Sequence, residues 1–487
     1  MGDPAEPPKN AISSDTAGHE SDTDTDSDTD SDTDSDTDSD TDSDTDTDSG
    51  TDDSGRIDPG PLGEPITVIR GEMPGMNLGF RVADAGGSGV AISAPQTSDT
   101  GPSAGAVYVV SDLTSASEIL ISEASLTITS SSPGAYLGQG IAGCDKDSGG
   151  ALIIGAPGNV GGSVHVFSMP LTGTRAAETA RLNISGTEEG SQLGTAVACS
   201  PGGEWIMAGA GYASDIAHNA GAVLLFPSSL SGDQPDSSAT ARFEGDITGQ
   251  VLGGTVSMGD VNADGVTDFL TGGSGEGASE PYASTAALFL GPVSGVRSVD
   301  DADIRWVGLA PMDRLGNQAS TGQDMNNDGH DDIALSAYWE STDADRAGAV
   351  FILAGGTTDE SGLGSATAII RGSHQYAYAG ISIDWLPDAD GDGRADLAVG
   401  EYARGEGGDV EAPAVGAAHV FLGPVTGTRA TSDADFSVEG TLPLGAFGYT
   451  VGAMNDADGD GLSDLIVGAY QEDANTGAAY LFSGGRP

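Results

Sequence analysis

The chain has 487 residues, with 75 acidic residues against only 17 Lys and Arg, and its formal net charge is −58. A chain this acidic offers no basic face, which excludes nucleic acids and anionic membranes as partners and favours cations. Two cysteines are too few for a disulfide framework, and no run reaches the ~20 apolar residues of a membrane helix.

The N-terminal segment, residues 1–60, is predicted to be a disordered domain. Residues 21–53 are almost entirely Ser-Asp-Thr-Asp, and residues 1–55 hold twenty acidic residues and one Lys. Such a segment has no apolar surface to bury, and its like charges repel, so we expect it to stay extended. It is interpreted as a stalk or linker that tethers the rest of the chain to a cell surface. The alternative is a solubilising tail that does not direct the protein to any surface.

From Ile66 onward the sequence repeats in units marked by a Leu-Gly or similar pair. Each unit continues with a short alternating run, an acidic loop or its relic, and an apolar strand such as Ile333–Ala337. Two further strands follow, exemplified by Gly416–Phe421 and Ala368–Gly372. No segment shows a helical apolar period, so residues 61–487 are predicted to be an all-β, seven-bladed β-propeller of four-stranded blades. The glycines of the pairs are Gly79, Gly138, Gly194, Gly253, Gly316, Gly380 and Gly448.

The order of strands also predicts how the ring closes. The last unit stops after its third strand, at Phe482, whereas a strand of the fourth type stands before the first Gly pair, at Ile66–Gly71. We therefore expect this N-terminal strand to complete blade seven, which removes an open sheet edge.

Four of the units contain a complete acidic loop, with oxygen-bearing side chains at positions 1, 3, 5 and 9 and Gly at position 6. This spacing suits Ca²⁺, to which the position-7 carbonyl can add a further oxygen. An EF-hand needs Glu at position 12, but Thr271, Leu335, Val399 and Val467 occupy it here. About four Ca²⁺ ions are predicted; the alternative is four acidic turns that bind nothing. The predicted ligands are Asp260, Asn262, Asp264, Val266 and Asp268; Asp324, Asn326, Asp328, His330 and Asp332; Asp388, Asp390, Asp392, Arg394 and Asp396; and Asp456, Asp458, Asp460, Leu462 and Asp464.

These units resemble FG-GAP repeats, the blades of the integrin α-subunit propeller, which also occur in bacterial surface proteins. The resemblance covers roughly residues 62–487 and rests on Phe447-Gly448, the four loops, Gly155–Pro157 and Gly468–Tyr470. It implies Ca²⁺ in the loops between first and second strands of the C-terminal blades, on the lower face, and ligands on the upper face. Blades one to three depart from the pattern and are expected to hold no ion: their loops contain Asp84-Ala-Gly86, then Asp145 and Asp147 with Gly149, then Ser200-Pro-Gly202.

The predicted function is a calcium-stabilised binding or adhesion module that recognises an extracellular protein or glycan through the upper-face loops, as a monomer. Met1-Gly2-Asp3-Pro4 lacks the features of a signal peptide. The chain is thus either cytosolic or given without its processed segment; we favour the second, secreted or cell-surface location, because cytosolic Ca²⁺ is too scarce for weak loops. The alternatives are a carbohydrate-active or lipid-active lyase or hydrolase, and a structural envelope component.

Enzyme motifs are few, so no catalytic or cofactor-binding residue is assigned. Gly138–Gly143 matches a dinucleotide fingerprint as a string, but no crossover helix is predicted after it. His165 and His419 share one slot of the third strand and are predicted to be packed residues. For an upper-face active site, the first candidates are Glu401, Arg404 and Glu406, with a solvated acidic loop as the plainer alternative.

The two cysteines, Cys144 and Cys199, occupy nearly the same slot in adjacent units, six and five residues after the glycines of their pairs. Both are expected near the lower end of an innermost strand, where neighbouring blades converge. A disulfide needs Cα atoms within about 7 Å. The sequence leaves open whether they are bridged or are two buried free thiols.

Overall fold

The computed structural model describes residues 63–144, 150–158, 160–275, 284–310, 312–356, 362–402 and 415–485. They form seven sheets, which confirms the predicted seven-bladed β-propeller. The stalk predicted for residues 1–60 and the residues Asp145, Asp147, Arg404 and Glu406 lie outside the described residues.

Each blade contains four antiparallel strands, numbered here in chain order. Blade one has β2 (Val82–Asp84), β3 (Val90–Ala94), β4 (Ala106–Val110) and β6 (Leu126–Thr129). Blade two has β7 (Ile141–Cys144), β8 (Ala151–Ala156), β9 (Ser163–Ser168) and β11 (Leu182–Ser185). Blade three has β12 (Leu193–Cys199), β13 (Trp205–Ala210), β14 (Ala222–Pro227) and β16 (Ala241–Glu244). Blade four has β17 (Leu252–Gly259), β18 (Asp268–Gly273), β19 (Thr285–Phe289) and β21 (Ile304–Val307).

The remaining blades repeat this order. Blade five has β22 (Leu315–Gln323), β23 (Asp332–Ala337), β24 (Ala349–Leu353) and β25 (Ala368–Arg371). Blade six has β26 (Ala379–Leu386), β27 (Asp396–Glu401), β28 (Ala417–Phe421) and β30 (Phe436–Glu439). Blade seven has β31 (Phe447–Met454), β32 (Asp464–Ala469), β33 (Ala478–Phe482) and β1 (Thr67–Arg70).

The N-terminal strand closes the ring as predicted. β1 pairs antiparallel with β33, with Thr67 opposite Leu481 and Arg70 opposite Ala478. The first strand of blade one, β2, contacts both β31 of blade seven and β7 of blade two. The two ends of the repeat are therefore joined within one sheet, and blade seven has no missing strand.

The hydrophobic core lies between the blades. The second and third strands of a blade, such as β8 and β28, are buried along almost their whole length, whereas fourth strands such as β25 alternate between buried and half-buried residues. Inner strands have a neighbouring blade on each face, so both faces are apolar. The main apolar clusters accordingly each join two adjacent blades, for example Val166 of blade two with Leu224 of blade three.

Five sheets contain a fifth, short strand that the sequence analysis did not anticipate. The segment between the third and fourth strands of the next blade pairs in parallel with the outermost strand, as β5 does with β1. A single 3₁₀ turn then returns the chain to its own blade, so each exchange ties two blades together. The five strands are β5 (Glu118–Leu120), β10 (Gly173–Ala176), β15 (Gly232–Pro235), β20 (Gly295–Ser298) and β29 (Gly427–Ala430).

The described helices are short. α1 (Glu472–Asn475) contains Asp473 and Ala474 at positive φ, so it is a turn rather than a regular helix. The 3₁₀ helices are Ile121–Glu123, Ala177–Thr179, Asp236–Ser238, Val299–Asp301, Gly362–Ser365 and Thr431–Asp433.

The glycines of the repeated pairs mark the closest approach of adjacent blades. All seven have positive φ, between 78° and 96°. A Cβ at Gly316 would also overlap the carbonyl oxygen of Thr285, and one at Gly448 would overlap that of Ala417, each in the preceding blade. Both the left-handed backbone and the lack of space require glycine, which explains why the pair recurs.

Replacement of Gly316 by alanine is expected to destabilise the propeller more than replacement of Gly295. Both glycines have φ in the seventies, but nothing lies within 4 Å of a Cβ at Gly295. Left-handed strain costs each variant about 1–2 kcal/mol, and overlap with Thr285 adds about 1–3 kcal/mol in Gly316→Ala. Thermal or denaturant unfolding of the two variants measures this difference, and equal stabilities would contradict the assigned packing.

Candidate metal and ligand sites

The four complete acidic loops lie at one end of the ring. Each joins the first and second strands of its blade: β17 to β18, β22 to β23, β26 to β27 and β31 to β32. We call this end the lower face. The loops between second and third strands, and those leading to the next blade, lie on the upper face.

Backbone hydrogen bonds hold the carboxylates of each loop in place. In blade four, Gly265 N–H donates to Asp260 Oδ2 at 2.9 Å and Val266 N–H donates to Asp264 Oδ1 at 2.8 Å. The loops of blades five and six repeat both bonds, and blade seven repeats the second. The turn at Gly thus gathers the carboxylates of positions 1 and 5 around one centre.

Two loops bring three carboxylates together most closely. Asp388, Asp390 and Asp396 each offer an oxygen within 4.8 Å of the others, and so do Asp456, Asp458 and Asp460. Oxygens at this spacing can converge on one cation with the bond lengths of about 2.3–2.6 Å that Ca²⁺ prefers. The loops of blades four and five carry Asn262 and Asn326 at position 3, which keep an oxygen donor with one charge fewer.

The position-9 aspartates brace the loops from within. Asp396 is fully buried; its Oδ2 accepts from Ala389 N–H at 2.7 Å and its Oδ1 from Gly423 N–H at 2.8 Å. The other three loops have the same pair of bonds, one of which ties the loop to the residues that follow the third strand. The sequence suggested these residues only as ligands, and in each loop one of the two bracing contacts joins residues at least 20 positions apart.

Burial raises the pKa of the position-9 carboxyls despite these backbone donors, and neighbouring carboxylates raise it further. The pKa is about 6 for Asp268, Asp332 and Asp464, and about 7 for Asp396. A nearby cation would offset this repulsion and favour the charged form.

Neighbouring loops are linked in series. Asp331 N–H donates to the carbonyl of Asp260 at 3.2 Å, and Asp331 Oδ2 accepts from Asp260 N–H at 2.6 Å. The residues at position 8 in blades six and seven make the same backbone bond to the preceding loop. Ala395 N–H donates to Asp324 O at 3.3 Å, and Ser463 N–H donates to Asp388 O at 2.8 Å. Position 8 of one loop therefore holds position 1 of the loop before it.

The ends of the described chain lie beside the blade-seven loop. Ser483 Oγ donates to Asp458 Oδ2 at 2.8 Å, and Gly485 N–H donates to Ala389 O at 2.6 Å. Ile66 N–H donates to Leu481 O at 2.7 Å, two residues before Ser483. The chain thus enters and leaves the ring at the lower face.

The corresponding loops of blades one and three are closed by their own hydrogen bonds. Asp84 Oδ1 accepts from Gly87 N–H, and Ser200 Oγ accepts from Trp205 N–H at 3.0 Å. Neither loop gathers several carboxylates.

A disulfide joins Cys144 and Cys199, with Cα atoms 5.3 Å apart. The bridge connects the lower ends of β7 and β12, and so ties blade two to blade three. Of the two alternatives that the sequence left open, the structure contains the bridged one.

The upper face of blades four and five carries a cavity of about 420 Å³, here called the Trp339 pocket. The guanidinium carbons of Arg314 and Arg346 lie 4.2 and 4.4 Å from the centroid of the Trp339 ring. At the rim, Leu309 and Met312 are 61% and 66% exposed. Sequence reasoning missed this site because its members come from two loops with no motif. Its lining is Leu309, Ala310, Met312, Asp313, Trp339, Glu340, Ser341, Thr342, Asp345 and Arg346.

His165 and His419 are buried and hydrogen-bonded, as predicted for packed residues. His419 Nε2 lies 2.8 Å from Glu401 Oε2. Burial acts to raise the pKa of Glu401, but His419, followed by His374 and Thr431, outweighs it and lowers the pKa. Glu401 is therefore a buried carboxylate rather than part of a solvated loop. Gly138–Gly143 runs into the strand β7, and the next element among the described residues is the strand β8, so this dinucleotide-like string is not followed by a described helix.

The chain is similar in sequence to FG-GAP repeats and to integrin alpha subunits. A family model described as FG-GAP repeat matches residues 315–353 and 447–482, in blades five and seven. Human integrin alpha-IIb is 30% identical over 301 residues, 60% of this chain and 26% of that protein. Drosophila melanogaster integrin alpha-PS2 is 31% identical over 160 residues, 31% of this chain and 11% of that protein. The matched region therefore spans about a quarter or less of these relatives.

Among solved structures, the WD40 domain of Toxoplasma gondii coronin aligns with a TM-score of 0.46 and 8% identity, over 88% of this chain and 89% of that one. Within the described ranges, no helix combines the length and apolar character needed to cross a bilayer.

Proposed function

We propose that this integrin-α-like FG-GAP repeat protein is an extracellular binding module whose ring is stabilised by Ca²⁺ and whose upper face binds a protein or glycan ligand. The observation that carries the proposal is the separation of two chemistries onto opposite faces. Carboxylate loops occupy the lower face in blades four to seven, and an aromatic pocket with exposed apolar side chains lies on the upper face. The predicted ligands of the four loops, from Asp260 to Asp464, are proposed as the calcium sites.

The Trp339 pocket has the composition of a binding hot spot. Aromatic residues, Met and Arg are enriched in protein interfaces, and Trp, Tyr and Arg dominate their energetics. Here a chain with 17 basic residues places two arginines against one of its 4 tryptophans, beside the exposed Met312. Its cavity also falls within the range of about 300–1,000 Å³ typical of small-ligand sites.

Replacement of Trp339 by alanine is expected to weaken ligand binding by about 2 kcal/mol or more, the loss typical of a hot-spot residue. The measurement uses the full chain in millimolar Ca²⁺ on protein and glycan arrays, followed by titration of any ligand found. Tyr136→Ala is the matched control, because Tyr136 is an aromatic residue 39% exposed in an upper-face loop of blade two. Equal affinities of the two variants would place the ligand elsewhere, and no ligand on either array would count against a binding module.

The N-terminal segment is proposed to act as the tether. Ile66 enters the ring at the lower face, next to the blade-seven loop. The proposed location is accordingly secreted or cell-surface, and the proposed assembly is a monomer.

A second candidate function is an extracellular lyase or hydrolase acting on carbohydrate or lipid. It is favoured by Glu401, a buried carboxylate that faces His419 and His374 at the upper end of blade six. Release of reducing sugars or fatty acids by the full chain, lost in Glu401→Gln, would support this candidate over the binding module.

A further inference from the structure

We propose that the upper face of blade six carries a transition-metal site, suited to Zn²⁺, in which Glu401 Oε1 and His374 Nδ1 are the two protein ligands. The site is separate from the calcium loops, which lie on the lower face. It draws its residues from two blades, because His374 is in the loop from β25 to β26 and Glu401 ends β27.

The two proposed ligand atoms face each other without a hydrogen bond. Glu401 Oε1 and His374 Nδ1 are 3.1 Å apart. Glu401 is only 2% exposed, yet its Oε1 is one of the buried side-chain oxygens with no hydrogen-bond partner among the described residues. His374 Nδ1 is at ion-pair distance from this oxygen, and the two atoms can be paired either by a protonated imidazole or by an ion that they share.

A metal ion supplies that partner with suitable geometry. Zn²⁺ bonds to imidazole nitrogen and carboxylate oxygen are about 2.0–2.2 Å long. Two ligands of one ion at octahedral or the wider tetrahedral angles are then roughly 3 Å apart, close to the spacing found here. An imidazole next to a carboxylate is a donor set that favours Zn²⁺ over Ca²⁺, which takes oxygen ligands alone.

The second oxygen of the carboxylate is held in place by its own partner. His419 Nε2 lies 2.8 Å from Glu401 Oε2, and His419 Nδ1 lies 2.8 Å from Ser437 Oγ. Such outer contacts orient metal ligands and are part of most metal sites. In blade two the same histidine slot, His165, contacts Ser163 and Asn183 instead, with no carboxylate. The arrangement around Glu401 is thus particular to blade six.

The site is open on one side. The His374 side chain is 54% exposed, whereas that of Glu401 is 3% exposed. An ion would reach the pair from the solvent of the upper face, and its other coordination positions would hold water. A site with two protein ligands and open positions can also accept a group from a bound ligand.

Titration of the calcium-saturated full chain with ZnCl₂ is expected to show one Zn²⁺ bound in addition to the calcium ions. His374→Ala and Glu401→Gln should abolish this binding. His419→Asn should weaken it by about 10–100-fold, as expected for a contact that orients a ligand. His218→Ala is the matched control, because His218 is an exposed histidine in an upper-face loop of blade three, and it should bind as the unmodified chain does.

Co²⁺ provides a second measurement. Its visible absorption reports nitrogen coordination, and the band should be present in the unmodified chain and in His218→Ala but absent in His374→Ala. Since His374 is largely exposed, this variant is expected to fold even where Glu401→Gln does not. The proposal is overturned if His374→Ala binds Zn²⁺ as tightly as His218→Ala, or if the unmodified chain binds no Zn²⁺ beyond the calcium loops.

Discussion

Removal of Ca²⁺ is expected to loosen blades four to seven, together with the closing strand β1, while blades one to three stay folded longer. Each of the four loops crowds carboxylates into one turn, and without a cation these charges repel at close range. The bracing aspartates and the serial bonds between position 8 and position 1 run through all four loops. Because these hydrogen bonds join each loop to the next, we expect a loop that moves apart through charge repulsion to displace the neighbouring loop as well.

The expected effect is large. Extracellular calcium sites bind with Kd of about 10⁻⁴–10⁻³ M. At a few millimolar Ca²⁺, each site would then stabilise the fold by about 1–2 kcal/mol through linkage. Four sites are comparable with the total stability of an ordinary domain, about 5–15 kcal/mol.

Hydrogen exchange with and without a chelator measures this effect blade by blade. Faster exchange is expected in β17 to β33 and in β1, with β2 to β16 protected longer, and added Ca²⁺ should restore protection. Uniform protection in all seven blades after chelation would show that the ions do not stabilise the ring. Metal analysis of the sample without chelator should find close to four calcium ions per chain.

The effect of pH on the unfolding temperature supplies an internal control. Its direction should be opposite in the cation-free and the calcium-loaded protein. In the cation-free protein, the pKa values of about 6 to 7 of the position-9 carboxyls lie above the value of an unfolded chain. The protonated position-9 carboxyls therefore favour the folded state at low pH, and this contribution to the free energy of unfolding is lost as the pH rises through 6 to 7. In chelator, lowering the pH from 7.5 to 5.5 should raise the unfolding temperature, whereas in Ca²⁺ it should lower it, since protons compete for the ligands.

Loss of the Cys144–Cys199 disulfide is expected to destabilise the opposite half of the ring. The bridge closes a loop with a sequence separation of 55 residues. In the chain-entropy account, a loop of this length stabilises the folded state by about 4 kcal/mol. Blades two and three gather no complete acidic loop among their described residues, so at the lower face this bridge, rather than a pair of linked acidic loops, joins the two blades.

The double variant Cys144→Ser, Cys199→Ser should unfold at a lower temperature than the unmodified chain, in Ca²⁺ and in chelator alike. Its hydrogen exchange should increase first in β7 to β13, the reverse of the pattern caused by chelation. Reductant should shift the unmodified chain toward the double variant and leave the variant itself unchanged. Equal unfolding temperatures of the two proteins would mean that the fifth strands already hold these blades together.

Local sequence patterns were sufficient to predict the propeller architecture. The Gly pairs, the alternating runs and the acidic loops recur in register, and each reports on residues close together in the chain. Counting these units predicted seven blades, the closure by Ile66–Gly71 and the four loops on one face. The family matches in blades five and seven agree with the repeat identified from Phe447-Gly448.

Contacts between distant segments were decided by the tertiary structure alone. Four of the five fifth strands contain no buried residue, so a run such as Gly173–Ala176 carries no apolar signal for a strand. The cysteines have equivalent slots, but whether their Cα atoms meet depends on how closely two blades pack.

The same reason applies to the sites. Repetition marks the acidic loops because one loop supplies all of the proposed ligands of one ion. Arg314 meets Trp339, and His374 meets Glu401, only because the loop leading into a blade lies against the upper end of its neighbour. Sequence determines what repeats along the chain, whereas the packing of one blade on the next determines which single residues meet, because those residues share no spacing that a pattern could reveal.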